Sequence, residues 1–157
     1  MKRYTLPFVE TKGILPIVKF SMEGGKDFYA IVDTGSESTL VDKTFKKEFP
    51  EAVKSRKVIG KTQYHGLSGS MDAVLVETLI SLPAKTVEGM DDTIEMKCMI
   101  NDLSALSEHY SRTYGFEGKL LMLLGSDVMR ELGAVISLKK NTITFSVKEK
   151  RKLNKAC

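Results

Sequence analysis

Apolar and polar residues alternate with a period of two over much of the chain, which is the pattern of β-strands. The first clear strand covers residues 14–22 and ends at the turn-forming pair Gly24 and Gly25. Residues 28–32 then form an unbroken apolar run, which predicts a strand that is buried on both faces. Because this run leads directly into Asp33, the sequence places a carboxylate at the end of a buried strand.

A long β-hairpin is predicted in the middle of the chain. Two extended stretches within residues 58–82 flank the segment 66–70, whose glycines adopt the backbone angles that a hairpin tip needs. Further on, residues 120–124 form a second apolar run that breaks at Gly125. Residues 126–127 then supply a helix cap and an acidic first turn, so we expect a short helix after the second apolar strand.

The remaining segments predict further strands and short helices, which makes the chain mostly β. The strands cover residues 93–100, 134–138 and 142–147. The helices cover residues 103–110 and residues 44–49, of which the second is capped by Asp42 and stopped by Pro50.

The composition is that of one globular domain. Of the 157 residues, 42% are hydrophobic and 28% are charged, which provides enough apolar surface for one core. The formal net charge of +4 equals the basic excess of residues 148–157. We therefore predict a single neutral domain over residues 1–147 and a flexible basic tail over residues 148–157. A nucleic-acid partner is not expected; the alternative, contact through the tail, predicts binding that weakens steeply with salt.

The sequence also indicates location and metal chemistry. No apolar run approaches the roughly 18 residues of a membrane helix, and residues 1–7 lack the apolar stretch of a secretory signal. We expect a cytoplasmic protein with no membrane contact. Cys98 and Cys157 lack a paired spacing and are predicted to be free thiols. His65 and His109 have no neighbouring ligand, so neither a metal nor another cofactor is expected.

Asp33 is the residue that most needs an explanation. A carboxylate at the mouth of an apolar core is costly unless it is hydrogen-bonded or its proton affinity is shifted. One interpretation is structural: Asp33 caps its own turn and Gly35 supplies a positive φ. The other is chemical, because acid–base catalysis uses carboxylates in such positions. The tetrapeptide that begins at Asp33 leaves both interpretations open.

Three segments in order resemble the retropepsin-like aspartic proteases. FYAIVDTGS, residues 28–36, is similar to the active-site strand and loop of that family. LLGSD, residues 123–127, resembles the family's apolar-apolar-glycine segment, and the helix and two strands after it resemble its carboxy-terminal part. The glycine-tipped hairpin lies where the family carries its flap. The resemblance implies an all-β fold: a retropepsin-like, closed β-barrel with a flap hairpin and one or two short helices.

The resemblance also implies an activity. A single Asp-Thr-Gly in a chain of this length is similar to the half-enzyme form of the family, in which each chain of a homodimer donates one aspartate. One carboxylate cannot both take a proton from water and give one to a leaving amide, whereas two carboxylates held close together share one proton. Two copies of Asp33 would thus activate a water that attacks the peptide bond of a peptide or protein substrate. No cofactor is required.

Roles for the neighbouring residues follow from the same resemblance. Thr34 would bond across the twofold axis to the other chain, and Gly35 would let the backbone approach the carboxylates closely. The Ser36 hydroxyl would donate to the ionised aspartate. Leu124 and Gly125 would pack behind the loop as support. The tip of the flap, which would close over the substrate, comprises Gly66, Leu67, Ser68 and Gly69.

Several alternatives accompany the protease interpretation. A retropepsin-like fold also serves as a catalytically silent dimerisation or peptide-binding module, which holds a peptide as an added β-strand. The hairpin is then a surface hairpin without a ligand. Asp127 is interpreted as a helix cap and not as a second catalytic aspartate. Residues 42–57 and 85–118 are additional to the compact viral members, and we expect them to reshape the cleft or the dimer contact.

Overall fold

Ten strands and three α-helices make up the part of the chain that the computed structural model describes, residues 2–66 and 69–147. The strands are β1 Lys2–Glu10, β2 Ile14–Ser21, β3 Asp27–Val32, β4 Leu40–Asp42, β5 Val53–Gly66, β6 Gly69–Lys85, β7 Asp91–Asn101, β8 Leu120–Leu124, β9 Val135–Ser137 and β10 Thr142–Val147. The helices are α1 Phe45–Glu48, α2 Ser104–Tyr114 and α3 Ser126–Glu131, and two 3-10 turns cover Glu23–Gly25 and Pro50–Ala52. The predicted predominance of β-structure is confirmed, with three helices in place of one or two.

All ten strands lie in one sheet, in the order β5-β6-β7-β4-β8-β3-β2-β1-β10-β9. The outer strands β5 and β9 do not pair with each other in the described part of the chain, so the predicted closed barrel is wrong. A few contacts join β1 to the β6–β7 hairpin: the Val87 N–H donates to the Arg3 carbonyl at 2.8 Å, Arg3 donates to the Glu88 carboxylate, and Lys2 pairs with Asp92 of β7 at 3.2 Å. Because these contacts involve a turn and side chains, no ladder of backbone hydrogen bonds closes the sheet.

The main apolar core lies on one side of this open sheet. Residues from distant strands share it, for example Phe145 of β10, Phe28 of β3 and Ile80 of β6, all of which are fully buried. The ring of Phe28 also contacts those of Phe45 and Phe49, at centroid distances of 5.3 and 5.5 Å. The sheet must therefore bend strongly around the core, although it stays open.

A second, smaller cluster covers the opposite face of β2, β3 and β8. Its buried members are Leu15, Ile17, Ile31, Phe116 and Leu120, and Val9, Tyr29, Leu106 and Tyr110 pack against it. Helix α2 contributes two of these side chains and so covers this face of the sheet. Along β3 the side chains alternate between the two faces, as strand geometry requires. Tyr29 and Ile31 point into the second cluster, whereas Phe28, Ala30 and Val32 point into the main core.

The two ends of the described chain are joined within the sheet. Strand β1 pairs antiparallel with β10, and the register places Lys2 opposite Val147 and Pro7 opposite Thr142. The first and last strands of the described chain thus contact each other, while the domain bounds of residues 1–147 stay a prediction. The predicted basic tail, residues 148–157, lies outside the described residues. Within the described ranges, none of the helices has the length and apolar character needed to cross a membrane.

Candidate active site

The two apolar runs identified in the sequence lie side by side in the sheet. Strand β8 is inserted between β3 and β4, parallel to β3 and antiparallel to β4, with Val32 opposite Leu124. The carboxyl ends of β3 and β8 therefore meet at the same edge. The Asp33 N–H continues the ladder and donates to the Leu124 carbonyl at 2.9 Å. This pairing brings the segment that begins at Asp33 next to Gly125.

Asp33 is half-buried, and its carboxylate shapes the loop that follows, residues 33–39 (the Asp33 loop). Oδ1 accepts a hydrogen bond from the Gly35 N–H at 2.9 Å, and the Asp33 carbonyl accepts one from the Ser36 N–H at 3.2 Å. A Cβ at Gly35 would lie 3.3 Å from Oδ1, so the absence of a side chain permits this close approach. The turn interpretation is therefore correct for the Asp33 carboxylate, but its prediction of a positive φ at Gly35 is wrong, because Gly35 is needed only for the close approach to Oδ1. One carboxylate oxygen, Oδ1, is engaged in this turn.

Gly125 lies against the backbone of the Asp33 loop. A Cβ there would come within 2.6 Å of the Ser38 carbonyl oxygen and 2.9 Å of the Ser36 carbonyl oxygen, distances that real Cβ atoms do not tolerate. The neighbouring Ser126 N–H donates to that same Ser36 carbonyl at 2.7 Å. Leu124, which is fully buried, belongs to the main core directly behind the loop. These contacts are the kind of support that the sequence predicts for Leu124 and Gly125.

Thr39 and Asp127 fasten the far end of the loop, a role that sequence reasoning missed. The Thr39 hydroxyl donates to Asp127 Oδ1 at 2.7 Å and accepts from the Gly125 N–H at 2.9 Å, and the Thr39 N–H donates to Asp127 Oδ2 at 3.2 Å. Asp127 Oδ1 also accepts from the Val128 N–H in the first turn of α3. The predicted helix cap at Ser126 and Asp127 is wrong, because the cap residue is Gly125 and makes no side-chain cap hydrogen bond. Asp127 lies in the first turn instead and links the helix to the Asp33 loop.

The remaining predicted loop residues differ in their surroundings. The Ser36 hydroxyl donates to the Ser38 carbonyl at 2.8 Å, so it does not serve the Asp33 carboxylate as predicted. The reason is local, because the loop turns the Ser38 carbonyl toward the hydroxyl. Thr34 is exposed and lies at the edge of an open depression of about 360 Å³, which Met129, Ala134 and Ile136 also line. Its side chain is therefore accessible to a partner.

The hairpin predicted around residues 66–70 is present. Strands β5 and β6 pair antiparallel from Val53 to Gly66, and Gly66 stands opposite Gly69 at the end of the ladder. Leu67 and Ser68, which complete the predicted flap tip, lie outside the described residues. The role of Gly66, Leu67, Ser68 and Gly69 as a flap stays a prediction.

Among the described residues, neither Cys98 nor a cluster of metal-binding side chains adds a reactive group to this site. Cys98 is buried in the main core, and its burial, with a further contribution from the charge of Asp127, raises the pKa of the thiol far above its usual range. The thiol is therefore neutral and unreactive. Among the side chains that the structure describes, no three of the metal-binding types His, Cys, Asp and Glu lie together. The group that remains available for acid–base chemistry in this site is the Asp33 carboxylate.

Two solved structures are similar to the chain. The retroviral protease-like domain of Ddi1 from Leishmania major shares 11% identity and a TM-score of 0.41, covering 92% of this chain and 89% of that one. A retropepsin-like aspartic protease from Rickettsia conorii shares 13% identity and a TM-score of 0.39, covering 92% of this chain and 99% of that one. No protein-family model and no curated protein matches the sequence.

Both similar structures are described as retropepsin-like or retroviral protease-like, which is the family that the sequence resembles. Their identities are low and their TM-scores lie below 0.5. This likeness therefore adds nothing to the assignment of an activity, which depends on the residues of this chain.

Proposed function

We propose that the chain is an aspartic endopeptidase of the retropepsin-like type, which acts as a homodimer on a peptide or protein substrate in the cytoplasm. The observation that carries the proposal is the Asp33 carboxylate, half-buried where two parallel apolar strands end and fixed by the Gly35 N–H. A loop that is supported by Gly125, Thr39 and Asp127 holds this acid in one position. Such preorganisation serves catalysis, whereas a surface turn does not need it.

The reaction requires a second carboxylate. Among the described residues around the loop, Asp127 is engaged by Thr39 and Val128, so one chain supplies Asp33 to the reaction. In the homodimer, the two Asp33 side chains approach each other across a twofold axis and share one proton, as carboxylate dyads of aspartic proteases do. The ionised member takes a proton from water, the water attacks the peptide carbonyl, and the protonated member gives its proton to the leaving amide. Hydrolysis then needs no covalent intermediate and no cofactor.

The exposed loop residues support this assembly. Thr34 presents its side chain to solvent beside Asp33, which is where a residue that bonds to the second chain must lie. Met129, Ala134 and Ile136 line the same depression as Thr34, so apolar surface adjoins Thr34. Burial of such surface stabilises a dimer. The hairpin tip, residues 66–69, closes over the bound peptide in this proposal.

The test is cleavage of a diverse peptide library by the full chain between about pH 3 and 7.5, at protein concentrations that span dimer formation. Asp33→Asn keeps the shape of the side chain and removes its charge. Asp27→Asn is the matched control, because Asp27 begins the same strand and makes only a 4.0 Å ion pair with Lys19. We expect activity per chain to rise with dimer formation, to vanish in Asp33→Asn and to persist in Asp27→Asn.

A second candidate function has one observation in its favour. The sheet is open, and its outer strands β5 and β9 keep an unpaired edge in the described residues, which suits a module that binds a peptide as an added strand. If the folded dimer binds library peptides and cleaves none of them, and if Asp33→Asn binds them equally well, the binding module replaces the protease.

A further inference from the structure

Strand β5 is an outer strand of the sheet, and its free edge carries positive charge. It pairs with β6 on one side, and no other strand of the described chain pairs with it. Residues 54–57 are all exposed and contain three cations, Lys54, Arg56 and Lys57, and no acid. None of these cations forms an ion pair with a described residue. Glu77 of β6 stands opposite Lys57 in the register, but it does not come close enough to pair with it.

The backbone of this edge is free to pair with another strand. The regular part of the β5 ladder is residues 55–58, which lie between two register shifts, one at Val53 and Ser55 and one at Val58 and Gly60. In an antiparallel ladder, alternate residues of an edge strand direct their N–H and C=O groups away from the neighbouring strand. Residues 55–58 therefore offer backbone hydrogen bonds on the side away from β6.

The side chains of this edge determine which strand it accepts. Val58 and Ile59 follow the cations and are 64% and 46% exposed, so the edge also offers apolar contacts to an added strand. Like charges on facing strands destabilise the pair, which disfavours a second copy of β5. The basic sequence of residues 148–157 is disfavoured for the same reason. A strand with acidic side chains is attracted instead.

We propose that the outer edge of β5 binds an extended, acidic segment of a partner protein, which adds to the sheet as one more strand beside residues 55–58. Neighbouring side chains on a strand point to opposite faces, so Arg56 and Lys57 each face a different acid of the added segment. The segment therefore carries acids at adjacent positions. A nucleic acid supplies negative charge but no backbone that continues the ladder, so a peptide fits both features of the edge. The inference does not rest on the proposed peptidase activity.

The probe is a capped, fluorescently labelled peptide of repeated Thr-Glu-Glu-Val units, and its binding to the full chain is measured by fluorescence anisotropy. Mass spectrometry verifies that the probe stays intact. We expect saturable binding that weakens as NaCl rises from about 50 to about 300 mM. Two control peptides separate charge from backbone pairing. One carries lysine in place of every glutamate, the other keeps the glutamates but is N-methylated at alternate backbone amides, and we expect neither to bind.

Variants of the protein test the position of the site. Arg56→Glu combined with Lys57→Glu reverses both charges beside the free edge. Lys139→Glu combined with Lys140→Glu is the matched control, because both lysines are exposed in the turn between β9 and β10 and the change in charge is the same. We expect the first variant to weaken binding roughly 5- to 20-fold and the control to stay within about twofold. The neutral pair Arg56→Gln and Lys57→Gln should give an intermediate loss, and it replaces the reversal if that variant does not fold.

Amide shifts in ¹⁵N NMR spectra of the full chain locate the bound peptide. We expect the largest changes at residues 54–58 and none at Gly35 or Gly125, which belong to the Asp33 site. The inference is overturned if the acidic peptide does not bind, if the N-methylated peptide binds equally well, if the lysine control loses as much affinity, or if the shifts centre on the Asp33 loop. Tighter binding of a single-stranded oligonucleotide than of the peptide at this edge also overturns it and assigns the edge to nucleic acid.

Discussion

Gly125 shows how a single residue fixes the geometry of the site. It follows β8, and the carbonyls of Ser36 and Ser38 occupy the space where a side chain would begin. The glycine is needed here for close approach of two backbone segments, and no other residue type fits without moving the Asp33 loop. A substitution at this position therefore affects both stability and the site.

We expect Gly125→Ala to lower the free energy of unfolding by about 1–3 kcal/mol, because the added methyl must push the Asp33 loop away. The measurement is urea denaturation of the purified full chain. Gly13→Ala is the control, since a Cβ at Gly13 meets nothing within 4 Å. Equal stability of the two variants would mean that the loop moves freely and is not held by Gly125.

The sequence identified some residues of the site and missed others for a definite reason. Asp33 and Gly125 each end an apolar run, which is a local signal that a reader of the sequence detects. The hydrogen bond from Thr39 to Asp127 joins residues 88 positions apart, and no local pattern announces it. The Ser36 hydroxyl was assigned to the carboxylate, but the path of its own loop gave it the Ser38 carbonyl.

At the scale of elements, Asp42 joins three segments around the site. It is buried at the end of β4, where Oδ1 accepts from the Leu103 N–H at 2.8 Å and Oδ2 accepts from the Thr44 N–H at 3.1 Å. One carboxylate thus anchors both the residue before α1 and the residue before α2. The sequence had assigned Asp42 to the start of α1 alone, since its link to Leu103 depends on tertiary structure.

We expect Asp42→Asn to destabilise the protein by about 1–3 kcal/mol, because a buried acceptor of several hydrogen bonds is replaced by a group that is partly a donor. Hydrogen exchange of the α2 amides should accelerate more than that of β10. Asp91→Asn is the control, because Asp91 is an exposed carboxylate at the first residue of β7, at the opposite end of that strand from α2. Unchanged exchange in α2 would show that Asp42 does not anchor that helix.

Strands with strong local patterns were predicted, and strands defined by their neighbours were not. The runs that became β3 and β8 are apolar throughout, and β10 alternates strictly. Strand β1 begins with Lys2 and Arg3 and contains Pro7, so its sequence has no clear strand pattern. Its pairing with β10 defines it as a strand. Strand β4 has three residues and exists because β7 and β8 flank it.

At the scale of the whole molecule, the packing of β1 against the main core shifts the pKa of Tyr4. Tyr4 is buried between β1 and the main core, and burial raises its pKa from 10.0 to about 12. Below pH 10 the phenol is neutral in the folded and unfolded states alike. Above pH 10 the unfolded chain releases the proton while the folded chain retains it, so stability falls as the pH rises toward 12.

We expect the free energy of unfolding to decrease by up to about 1.4 kcal/mol per pH unit from this tyrosine between pH 10 and 12. The measurement is denaturant unfolding as a function of pH. Tyr4→Phe removes the titrating group, so the difference between wild type and variant isolates the effect from other alkaline titrations. A constant difference over this range would mean that Tyr4 is accessible to water in the folded state.

The sequence by itself determined the β-rich class, the two apolar strands, the long hairpin and the position of Asp33, because these depend on local periodicity and on residues that end a run. Tertiary structure alone decided that the sheet stays open, that β8 enters between β3 and β4, that Thr39 and Asp127 hold the loop, and that α2 covers the second cluster. These features arise between residues far apart in the chain. Their energies depend on packing and on paired donors and acceptors, which have no signature in the order of the amino acids along one segment.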